Sequence, residues 1–364
     1  MRSTPDVRAV GPDPAYQMVD LFAGPGGLDV AAHWLGISAI GVEWDRGALA
    51  TRKAARIATE PGDVRELGPS RFEGASILAG GPPCQTYTVA GTGSGREALA
   101  EVLTFVKRLG AREDISDDLN TLTDERTGLV LEPLRWAIEA QEAEKAYDVV
   151  VLEQVPAVLP VWEAMEQVLQ DMEYKTISGV LATEQYGVPQ SRRRAILLAN
   201  KEIQPELPGT THARHYRGQH SKDTLDQQRW VSMGQALAAM PGTQRPKTFR
   251  VVSNYGSGGN PKRRGERASC QPSATITGKV RRNRILDADR NHLPRFSNQE
   301  AGVLQTFPHD FPWSGVDIGQ QIGNAIPPRL GVYVLSAALG IPVDAARLDA
   351  VVKLPWTESH GRLM

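Results

Sequence analysis

A cysteine that follows two glycines and two prolines is the residue in this chain best suited to nucleophilic chemistry. Residues 80–85 read GGPPCQ and come directly after an apolar stretch at 75–79. The apolar stretch predicts a short buried strand, and the glycines and prolines predict a stiff turn at its end. Open α/β sheets carry their chemistry at this end of their strands. Cys84 is therefore a candidate nucleophile, although the pattern alone also fits a buried structural thiol.

Charged residues stand at the ends of two other predicted strands. Glu153 directly follows an apolar run, where burying a carboxylate is costly unless it has a function. Three consecutive arginines precede another apolar run. Alternate side chains of an extended segment share a face, so Arg192 and Arg194 are predicted to share a site while Arg193 points away.

The elements that position these residues begin with a strand, a glycine turn and a helix. The apolar run at 19–23 leads into the sequence GPGG at 24–27, and helical apolar spacing follows as far as residue 35. This order opens a nucleotide-binding βαβ unit. The turn lacks both the GxGxxG pattern and the lysine of a phosphate-binding loop. We therefore expect a ligand that needs close backbone approach but brings no phosphates.

Acidic residues at the ends of the next two predicted strands favour an adenosine ligand. Glu43 is placed to hydrogen-bond the hydroxyls of a ribose, and Trp44 beside it to pack on an adenine face. Asp63, at the end of the third predicted strand, would accept a hydrogen bond from an adenine amino group. Together they predict a pocket for adenosine without phosphate, with S-adenosylmethionine as the candidate.

Strands and helices alternate as far as about residue 203, which predicts an α/β fold with a doubly wound, mostly parallel sheet. From about residue 205, glycine, proline, arginine and histidine rise and the apolar periodicity fades. We expect a second, smaller and irregular domain to begin there. Regularity returns near Phe296, and the last clear helix is predicted for residues 330–339.

The composition indicates a globular protein of a reducing compartment. The chain has 364 residues, of which 41% are hydrophobic and 23% charged, and no apolar stretch approaches the length of a membrane span. Its two cysteines give no disulfide framework, and its seven histidines lack ligand spacing. We therefore expect a cytoplasmic protein with no metal and no membrane contact.

The distribution of charge favours a polyanionic partner more than the total does. The whole chain carries a formal charge of −1, but residues 190–300 hold 21 lysines and arginines against 8 acidic residues. This local charge of +13 leaves −14 for the rest. A basic segment in an acidic protein is an electrostatic signature of nucleic-acid binding, and equally of a solvated basic face.

Five sequence strings together resemble the cytosine carbon-5 DNA methyltransferase family. DLFAGPGG (20–27) is similar to its first cofactor motif, GGPPCQ (80–85) to its nucleophile motif and QYGVPQSRRR (185–194) to its arginine motif. RFSNQEAGVLQTFP (295–308) and QIGNAIPP (321–328) are similar to its two C-terminal motifs. All five stand in the family's order, which is far more specific than one short motif.

The resemblance implies a Rossmann-like domain that binds S-adenosylmethionine and a second domain that reads duplex DNA. We expect a loose leader at 1–15, a catalytic domain at 16–203, a target-recognition domain at 204–292 and a C-terminal part at 293–364 that returns to the catalytic domain. We also expect a monomer. The residues that the resemblance assigns to the methyl donor are Phe22, Gly24, Gly26, Gly27, Glu43, Trp44, Asp63, Val64, Pro83, Leu129, Asn324 and Ala325.

The resemblance also implies a mechanism. The thiolate of Cys84 would attack carbon 6 of cytosine, and Glu153 would donate a proton to ring nitrogen 3. Arg194 would hold the exocyclic oxygen, while Arg192 would support the site and lower the pKa of the thiol. The target base must first rotate out of the duplex.

Two features depart from the family pattern. The glutamate motif usually reads Glu-Asn-Val, whereas Gln154 stands in the middle position here. We expect activity, with an altered rate or substrate range. The stretch at 96–123 resembles an insertion, which we expect either to extend a catalytic lid or to contact another protein.

Two other functions remain open from the sequence. One is an RNA cytosine carbon-5 methyltransferase, since one branch of the family resembles that description. The other is a cofactor-binding DNA reader in which Gln154 marks weak or lost catalysis. Methylation of an exocyclic amine would need an Asp/Asn/Ser-Pro-Pro-Tyr/Phe tetrapeptide, which the sequence lacks. The sequence does not determine the recognised DNA site, a companion restriction enzyme, or a host or phage role.

Overall fold

A seven-stranded sheet forms the centre of the molecule. The computed structural model describes residues 17–83, 93–119, 125–216, 227–256 and 264–363. The expected leader at 1–15 and the candidate nucleophile Cys84 lie outside these residues. The sheet has the order β3-β2-β1-β4-β5-β8-β6. Its strands are β1 (Met18–Leu21), β2 (Ala39–Glu43), β3 (Thr59–Pro61), β4 (Ile77–Gly80), β5 (Val149–Gln154), β6 (Lys175–Ala182) and β8 (Arg193–Asn200).

Strands β1 to β5 run parallel, and the two strands at the far edge run antiparallel to their neighbours. From β1 the sheet first grows toward β2 and β3 and then, on the other side of β1, toward β4 and β5. At this switch point the carboxyl ends of neighbouring parallel strands border a crevice, which is where such sheets bind ligands. This confirms the predicted α/β class and the mostly parallel sheet.

Helices cover both faces of this sheet, as expected for strands that are apolar on both sides. One core contains Val150, Leu152, Trp136 and Trp162, and the other contains Val149, Val151 and Leu335. The helices are α1 (Gly27–Trp34), α2 (Arg46–Ala55), α3 (Gly93–Gly110), α4 (Ser116–Leu119), α5 (Glu132–Glu142), α6 (Leu159–Asp171), α7 (Met233–Ala238), α8 (Asn298–Leu304), α9 (Ile318–Asn324), α10 (Pro328–Leu339) and α11 (Ala345–Val351). Short 3₁₀ turns cover Pro69–Phe72, Glu125–Leu131, Pro156–Val158, Thr183–Tyr186, Val280–Arg282 and Trp356–Glu358.

The insertion-like stretch contributes to the core in part. Helix α3 packs on α6 and buries Val102, Phe105 and Val106 in the core of that face. A tight contact brings Gly110 against Val168, where a Cβ atom would come within 2.8 Å. The described part of this stretch is therefore an integral layer of the fold and not only a surface addition.

The region expected to be irregular contains a second sheet. Its four strands are β9 (Arg250–Gly256), β10 (Arg264–Ala268), β12 (Arg284–Leu286) and β13 (His292–Leu293). They pair in antiparallel fashion in the order β10-β9-β12-β13. Its core joins Phe249, Val251 and Ile285 to Phe296 and Leu304 from the following segment. Short strands interrupted by turns gave too weak a period for the sequence to reveal this sheet.

The C-terminal part of the chain packs back on the large sheet. Helix α10 lies against α1, and it also contacts β5 and β8. Gly331 permits the close approach of the two helices, since a Cβ atom there would lie 2.8 Å from that of Ala31. The predicted helix at 330–339 is thus present, but it is followed by α11, which the sequence analysis did not anticipate. None of the described helices is both long and apolar enough to cross a membrane.

Candidate active site

A cavity of about 580 Å³ opens at the carboxyl ends of the parallel strands. Fourteen of the sixteen residues predicted for the site line it, although they come from segments up to 300 positions apart in the chain. The fourteen are Phe22, Gly24, Gly27, Glu43, Trp44, Asp63, Val64, Pro83, Leu129, Glu153, Arg192, Arg194, Asn324 and Ala325.

The two other predicted residues are not part of this lining. Cys84 lies outside the described residues, one position after Pro83, which does line the cavity. Gly26 lies behind the wall, with a φ of 105° that favours glycine. A Cβ atom there would come within 2.8 Å of the Ile57 side chain, so Gly26 shapes the turn without facing the cavity.

The turn after β1 brings bare backbone to the cavity. Phe22 has a φ of 57°, an uncommon conformation for a bulky residue that is typical of functional sites. Gly24 also has a positive φ, 54°, and an added Cβ atom would meet no described atom within 4 Å. At Gly27 a Cβ atom would lie 2.4 Å from the carbonyl oxygen of Ile326, so this glycine is needed for contact with the C-terminal segment.

Glu43 is fixed by three backbone amides. Its Oε2 accepts from the amide of Gly24 at 2.7 Å, and its Oε1 accepts from those of Trp44 at 2.8 Å and Asp45 at 2.7 Å. Burial raises the pKa of this carboxyl, and the three hydrogen bonds oppose that rise. A carboxylate has about four acceptor positions, so about one remains for a ligand hydroxyl.

An acid, an arginine and an exposed ring form the mouth of the cavity. Asp63 accepts hydrogen bonds from the backbone amide and the guanidinium of Arg65, and these outweigh burial and lower the pKa of Asp63. The Arg65 guanidinium lies 5.8 Å from the centre of the Trp44 ring. Trp44 is 58% exposed, a large apolar surface that a flat ligand would cover.

A buried arginine that the sequence analysis did not single out holds the turn from behind. Arg52 is fully buried and donates to both carboxylate oxygens of Asp29 at 2.8 Å. It also donates to Thr59 Oγ1 and to the carbonyl oxygen of Ala58. Asp20, which lines the cavity beside this group, is buried, and burial raises its pKa well above the ordinary value. Only spatial proximity identifies this set, because no pattern links its members in sequence.

Glu153 and Arg194 form an ion pair on the opposite wall. Nε of Arg194 lies 2.5 Å from Oε1 of Glu153, and the two side chains are 11% and 7% exposed. Arg194 and Glu153 are held together because β5 and β8 are antiparallel neighbours. Gly81 leaves room beside the acid, since a Cβ atom there would be 3.6 Å from Oε2 of Glu153.

Arg192 is buried beside this pair, while Arg193 is exposed, which confirms the predicted alternation. Nη1 of Arg192 donates to the carbonyl oxygens of Ile276 at 3.1 Å and Gly323 at 2.9 Å. Its Nε and Nη2 are buried without a hydrogen-bond partner among the described residues. Burial, and then repulsion by Arg194, lowers the pKa of this guanidinium. Unpaired buried donors at a cavity wall are suited to binding an acceptor.

Gln154 connects the acid to the proline turn. Its Nε2 donates to the carbonyl oxygen of Pro82 at 2.5 Å, and its Oε1 accepts from the amide of Val155 at 2.5 Å. The side chain thus spans from β5 to the turn that ends at Pro83, the residue before the candidate nucleophile. The departure from the usual asparagine is accommodated by two hydrogen bonds.

The chemistry of this wall fits an adenosine ligand without phosphates. The acceptors at the mouth, Glu43 and Asp63, suit hydroxyl and amino groups and would repel a phosphate. The nearby cation Arg52 is already paired with Asp29. Glu43 and Asp63 offer acceptors for the hydroxyl and amino groups of such a ligand, and Trp44 offers an exposed ring face.

Comparison with known families decides the identity of this architecture. The model of the C-5 cytosine-specific DNA methylase family matches residues 16–107 and 120–339, most of the chain. The chain belongs to this family. Methyl transfer to carbon 5 of cytosine in DNA, the activity predicted from the sequence, is confirmed at the level of the family.

Individual relatives of this methylase are distant. The Type II methyltransferase M.PspPI of Psychrobacter sp. (strain TA137) is 24% identical over 94% of this chain and 83% of its own length. M.NgoFVII of Neisseria gonorrhoeae is 24% identical over 92% and 89%. A putative DNA modification methyltransferase from an Escherichia coli prophage shares the fold, with a TM-score of 0.56, 18% identity and coverage of 89% of this chain and 98% of that chain.

The family match bears on two points that the sequence left open, namely the nucleic acid that is methylated and the extent of the insertion. It supports a DNA methylase and gives no support to the RNA enzyme. It also passes over residues 108–119, which are the end of α3 and the short α4. Arg108 pairs there with Glu113 and Asp118 at 2.7 and 2.8 Å. The stretch that the family match leaves out is therefore shorter than the insertion expected at 96–123.

Proposed function

We propose that this methylase transfers a methyl group from S-adenosylmethionine to carbon 5 of a cytosine in a specific duplex DNA sequence, with Cys84 as the nucleophile. One observation carries the proposal. Glu153, Arg192 and Arg194 line the same cavity as the predicted adenosine-binding residues, and the wall between them ends at Pro83, next to Cys84.

The thiolate of Cys84 is proposed to add to carbon 6 of the ring, which makes carbon 5 nucleophilic. Arg192 and Arg194 place two positive charges on this wall, which exceed the charge of Glu153 whether that side chain is ionised or protonated. A net positive field stabilises a thiolate more than a thiol, so it lowers the pKa of a nearby cysteine.

Glu153 and Arg194 are proposed to hold the edge of the base. Nitrogen 3 and the exocyclic oxygen of cytosine are adjacent on the ring, and the side chains of Glu153 and Arg194 are adjacent in the protein. Glu153, in its protonated form, donates to nitrogen 3 and neutralises the charge that develops when the thiolate adds. Arg194 donates to the oxygen.

Bound S-adenosylmethionine supplies the methyl group that carbon 5 receives. Glu43, Trp44 and Asp63 are proposed to hold its adenosine, and Asn324 and Ala325 to close the pocket from the C-terminal side. A base, such as solvent water, takes the proton from carbon 5, the thiolate leaves carbon 6, and the proton on nitrogen 3 returns to Glu153, which restores the aromatic ring and the enzyme. Water must be kept from this pocket while the adduct exists, which the buried walls on either side favour.

The DNA is proposed to bind between two parts of the chain. Residues 16–203 with 293–364 would form the catalytic domain, and residues 204–292 would contact the bases and phosphates. The target cytosine lies inside a stacked duplex and must rotate out, at a cost of a few kcal/mol. Basic residues at 204–292 would offset that cost through phosphate contacts, so binding would weaken strongly with salt.

Covalent trapping tests the proposed nucleophile. A duplex with 5-fluorocytosine at the target position cannot lose the carbon-5 substituent as a proton, so the adduct should persist after methyl transfer. We expect a protein–DNA band that withstands denaturing electrophoresis in the wild type and in Cys270→Ser, whose parent cysteine is exposed. Cys84→Ser should give none. A band that persists in Cys84→Ser would refute the assignment.

Bisulfite sequencing of DNA from cells that express the protein identifies the target sequence. We expect protection of cytosines in one short sequence motif. Tritium transfer from labelled S-adenosylmethionine to purified tRNA, but to no DNA, would contradict the DNA substrate and favour the RNA enzyme.

A further inference from the structure

A short segment at 273–278 leaves the second sheet and packs against residues 190–191 on one side and against α9 on the other. Its strand β11 (Ser273–Ala274) pairs in parallel with β7 (Gln190–Ser191). Oγ1 of Thr275 donates to the carbonyl oxygen of Ser191 at 2.9 Å. Because this segment lies between β10 and β12, a displacement of the second sheet reaches the active site through it.

Two buried glutamines, Gln190 and Gln305, connect this segment by hydrogen bonds to residues 322–325 at the cavity wall. The amide of Ile276 donates to Oε1 of Gln190 at 2.7 Å. Nε2 of Gln190 donates to Oε1 of Gln305 at 2.6 Å, and Nε2 of Gln305 donates to the carbonyl oxygen of Ile322 at 2.6 Å. A longer contact, 3.3 Å, joins the same Nε2 to the carbonyl oxygen of Ala325, which lines the cavity.

The direction of this glutamine pair, Gln190 and Gln305, is fixed. In each side chain the amide oxygen accepts a hydrogen bond from the direction of the 273–278 segment, and the amide nitrogen donates one in the direction of residues 322–325. Both are fully buried, so a rotated amide would leave unpaired polar atoms without water. The pair therefore has one arrangement that satisfies its hydrogen bonds, and these bonds connect it to the backbone at both ends.

A second contact packs the backbone of the 273–278 segment directly against α9. The backbone at Thr277 and Gly278 crosses directly over Gly323, where a Cβ atom would lie 2.4 Å from the amide nitrogen of Gly278. Arg192 also connects this segment to α9, since it donates to the carbonyl oxygens of Ile276 and Gly323. A shift of the 273–278 segment therefore has to displace residues 322–325.

We propose that the glutamine pair couples DNA binding by the second sheet to methyl-donor binding in the cavity. Gln190 and Gln305 are positioning residues, since both are fully buried and neither lines the cavity. The proposal rests on the proposed function, because it assumes that DNA engages residues 204–292. Coupling between two ligands is reciprocal, so DNA would tighten donor binding by the same factor as the donor tightens DNA binding.

The test measures the dissociation constant of S-adenosylhomocysteine, an unreactive stand-in for the donor, with and without duplex DNA. The duplex carries the sequence found by bisulfite sequencing. We expect DNA to tighten binding about tenfold in the wild type, within the usual range of coupling. In Gln305→Met and in Gln190→Met the gain should fall below about threefold, whereas affinity without DNA should change by less than about twofold.

Further variants separate coupling from simple damage. Thr275→Val removes a hydrogen bond of the same segment outside the pair, so it should keep the wild-type gain. The double variant Gln190→Met/Gln305→Met should lose no more than either single variant, because both break one chain of bonds. If Gln305→Met does not fold, Gln305→Glu in its ionised form keeps the acceptor for Gln190 and removes the donor to the carbonyl oxygens of Ile322 and Ala325.

Several results would overturn the proposal. An unchanged gain in the folded variants, or equal losses of affinity with and without DNA, would show that the pair acts only structurally. A wild type that methylates DNA but shows no gain would overturn it as well. A wild type that methylates no DNA would instead refute the proposed function, so the two failures are distinguishable.

Discussion

Gln154 acts at the scale of a single residue, where it joins the strand that carries Glu153 to the proline turn before Cys84. Its two hydrogen bonds, to Pro82 and from Val155, are both 2.5 Å long. The family's usual asparagine is one methylene shorter, so its amide group would reach less far from β5 toward the carbonyl oxygen of Pro82. The turn in this chain is therefore fitted to glutamine.

Replacing Gln154 should slow the reaction more than it weakens donor binding. A small displacement of a reacting group costs up to about a hundredfold in rate, so we expect Gln154→Leu to lower kcat by about ten- to a hundredfold. Gln154→Asn should lie between this variant and the wild type. Initial rates of tritium transfer measure kcat, and calorimetry measures binding of S-adenosylhomocysteine. A Gln154→Leu enzyme with wild-type kcat would contradict the positioning role.

Arg52 also acts as a single residue, because its guanidinium donates to an acid, a hydroxyl and a carbonyl behind the glycine turn. Removing one partner of a buried ion pair costs about 3–5 kcal/mol, since the other charge is left unpaired. Arg52→Met should therefore lower the free energy of unfolding by that amount, and Arg52→Met/Asp29→Leu should recover much of it. Urea denaturation measures both, with Lys53→Met, on the exposed side of α2, as the control.

At the scale of elements, the close crossing of α9 by the 273–278 segment depends on two glycines. Both backbones meet at Gly323 and Gly278, which no pair of side chains would permit. This crossing connects the second sheet to the cofactor wall, so its geometry affects both binding functions.

Adding one methyl group at this crossing should disrupt it. Overpacking against rigid backbone costs about 1–3 kcal/mol, so we expect Gly323→Ala to lower the midpoint of thermal unfolding and to reduce methylation more than donor binding. Gly265→Ala is the matched control, because a Cβ atom there meets nothing within 4 Å among the described residues. Equal effects of the two substitutions would contradict this account.

At the scale of the molecule, positive charge is concentrated on the second sheet and its connections. Arg281, Arg282 and Arg284 are exposed there. If Arg281 and Arg282 contact phosphates, replacing both with alanine should reduce the slope of log affinity against log salt by about 2. Fluorescence anisotropy of a labelled duplex at several salt concentrations measures the slope. An equal loss of affinity at every salt concentration, which leaves the slope unchanged, would show that the two arginines do not contact phosphates.

Stability should depend on pH through a buried histidine near the C-terminal helix. Burial, with a further contribution from Arg329, lowers the pKa of His212 from 6.5 to about 4. The unfolded chain then binds a proton that the folded chain excludes, so stability is lost as pH falls from about 6.5 toward 4. His212→Gln should flatten this part of the thermal midpoint against pH, whereas His292→Gln, at an exposed position, should not.

The sequence by itself determined the mostly parallel sheet of the first domain and about half of the residues that line the cavity. Strand-ending residues such as Glu43, Asp63 and Glu153 were found because parallel strands bring their carboxyl ends to one edge, a rule that needs no coordinates. The alternation of Arg192 and Arg194 followed from the period of an extended chain.

Only the tertiary structure revealed the contacts between distant segments. Three such contacts are the ion pair of Arg52 with Asp29, the hydrogen bond between Gln190 and Gln305, and the backbone crossing at Gly323, which join residues up to 115 positions apart. Such contacts leave no periodic pattern in the chain, because their partners are set by how the elements pack and not by local spacing. The antiparallel second sheet was missed for the same reason, since its pairing is decided between strands that each carry too few residues to show a period.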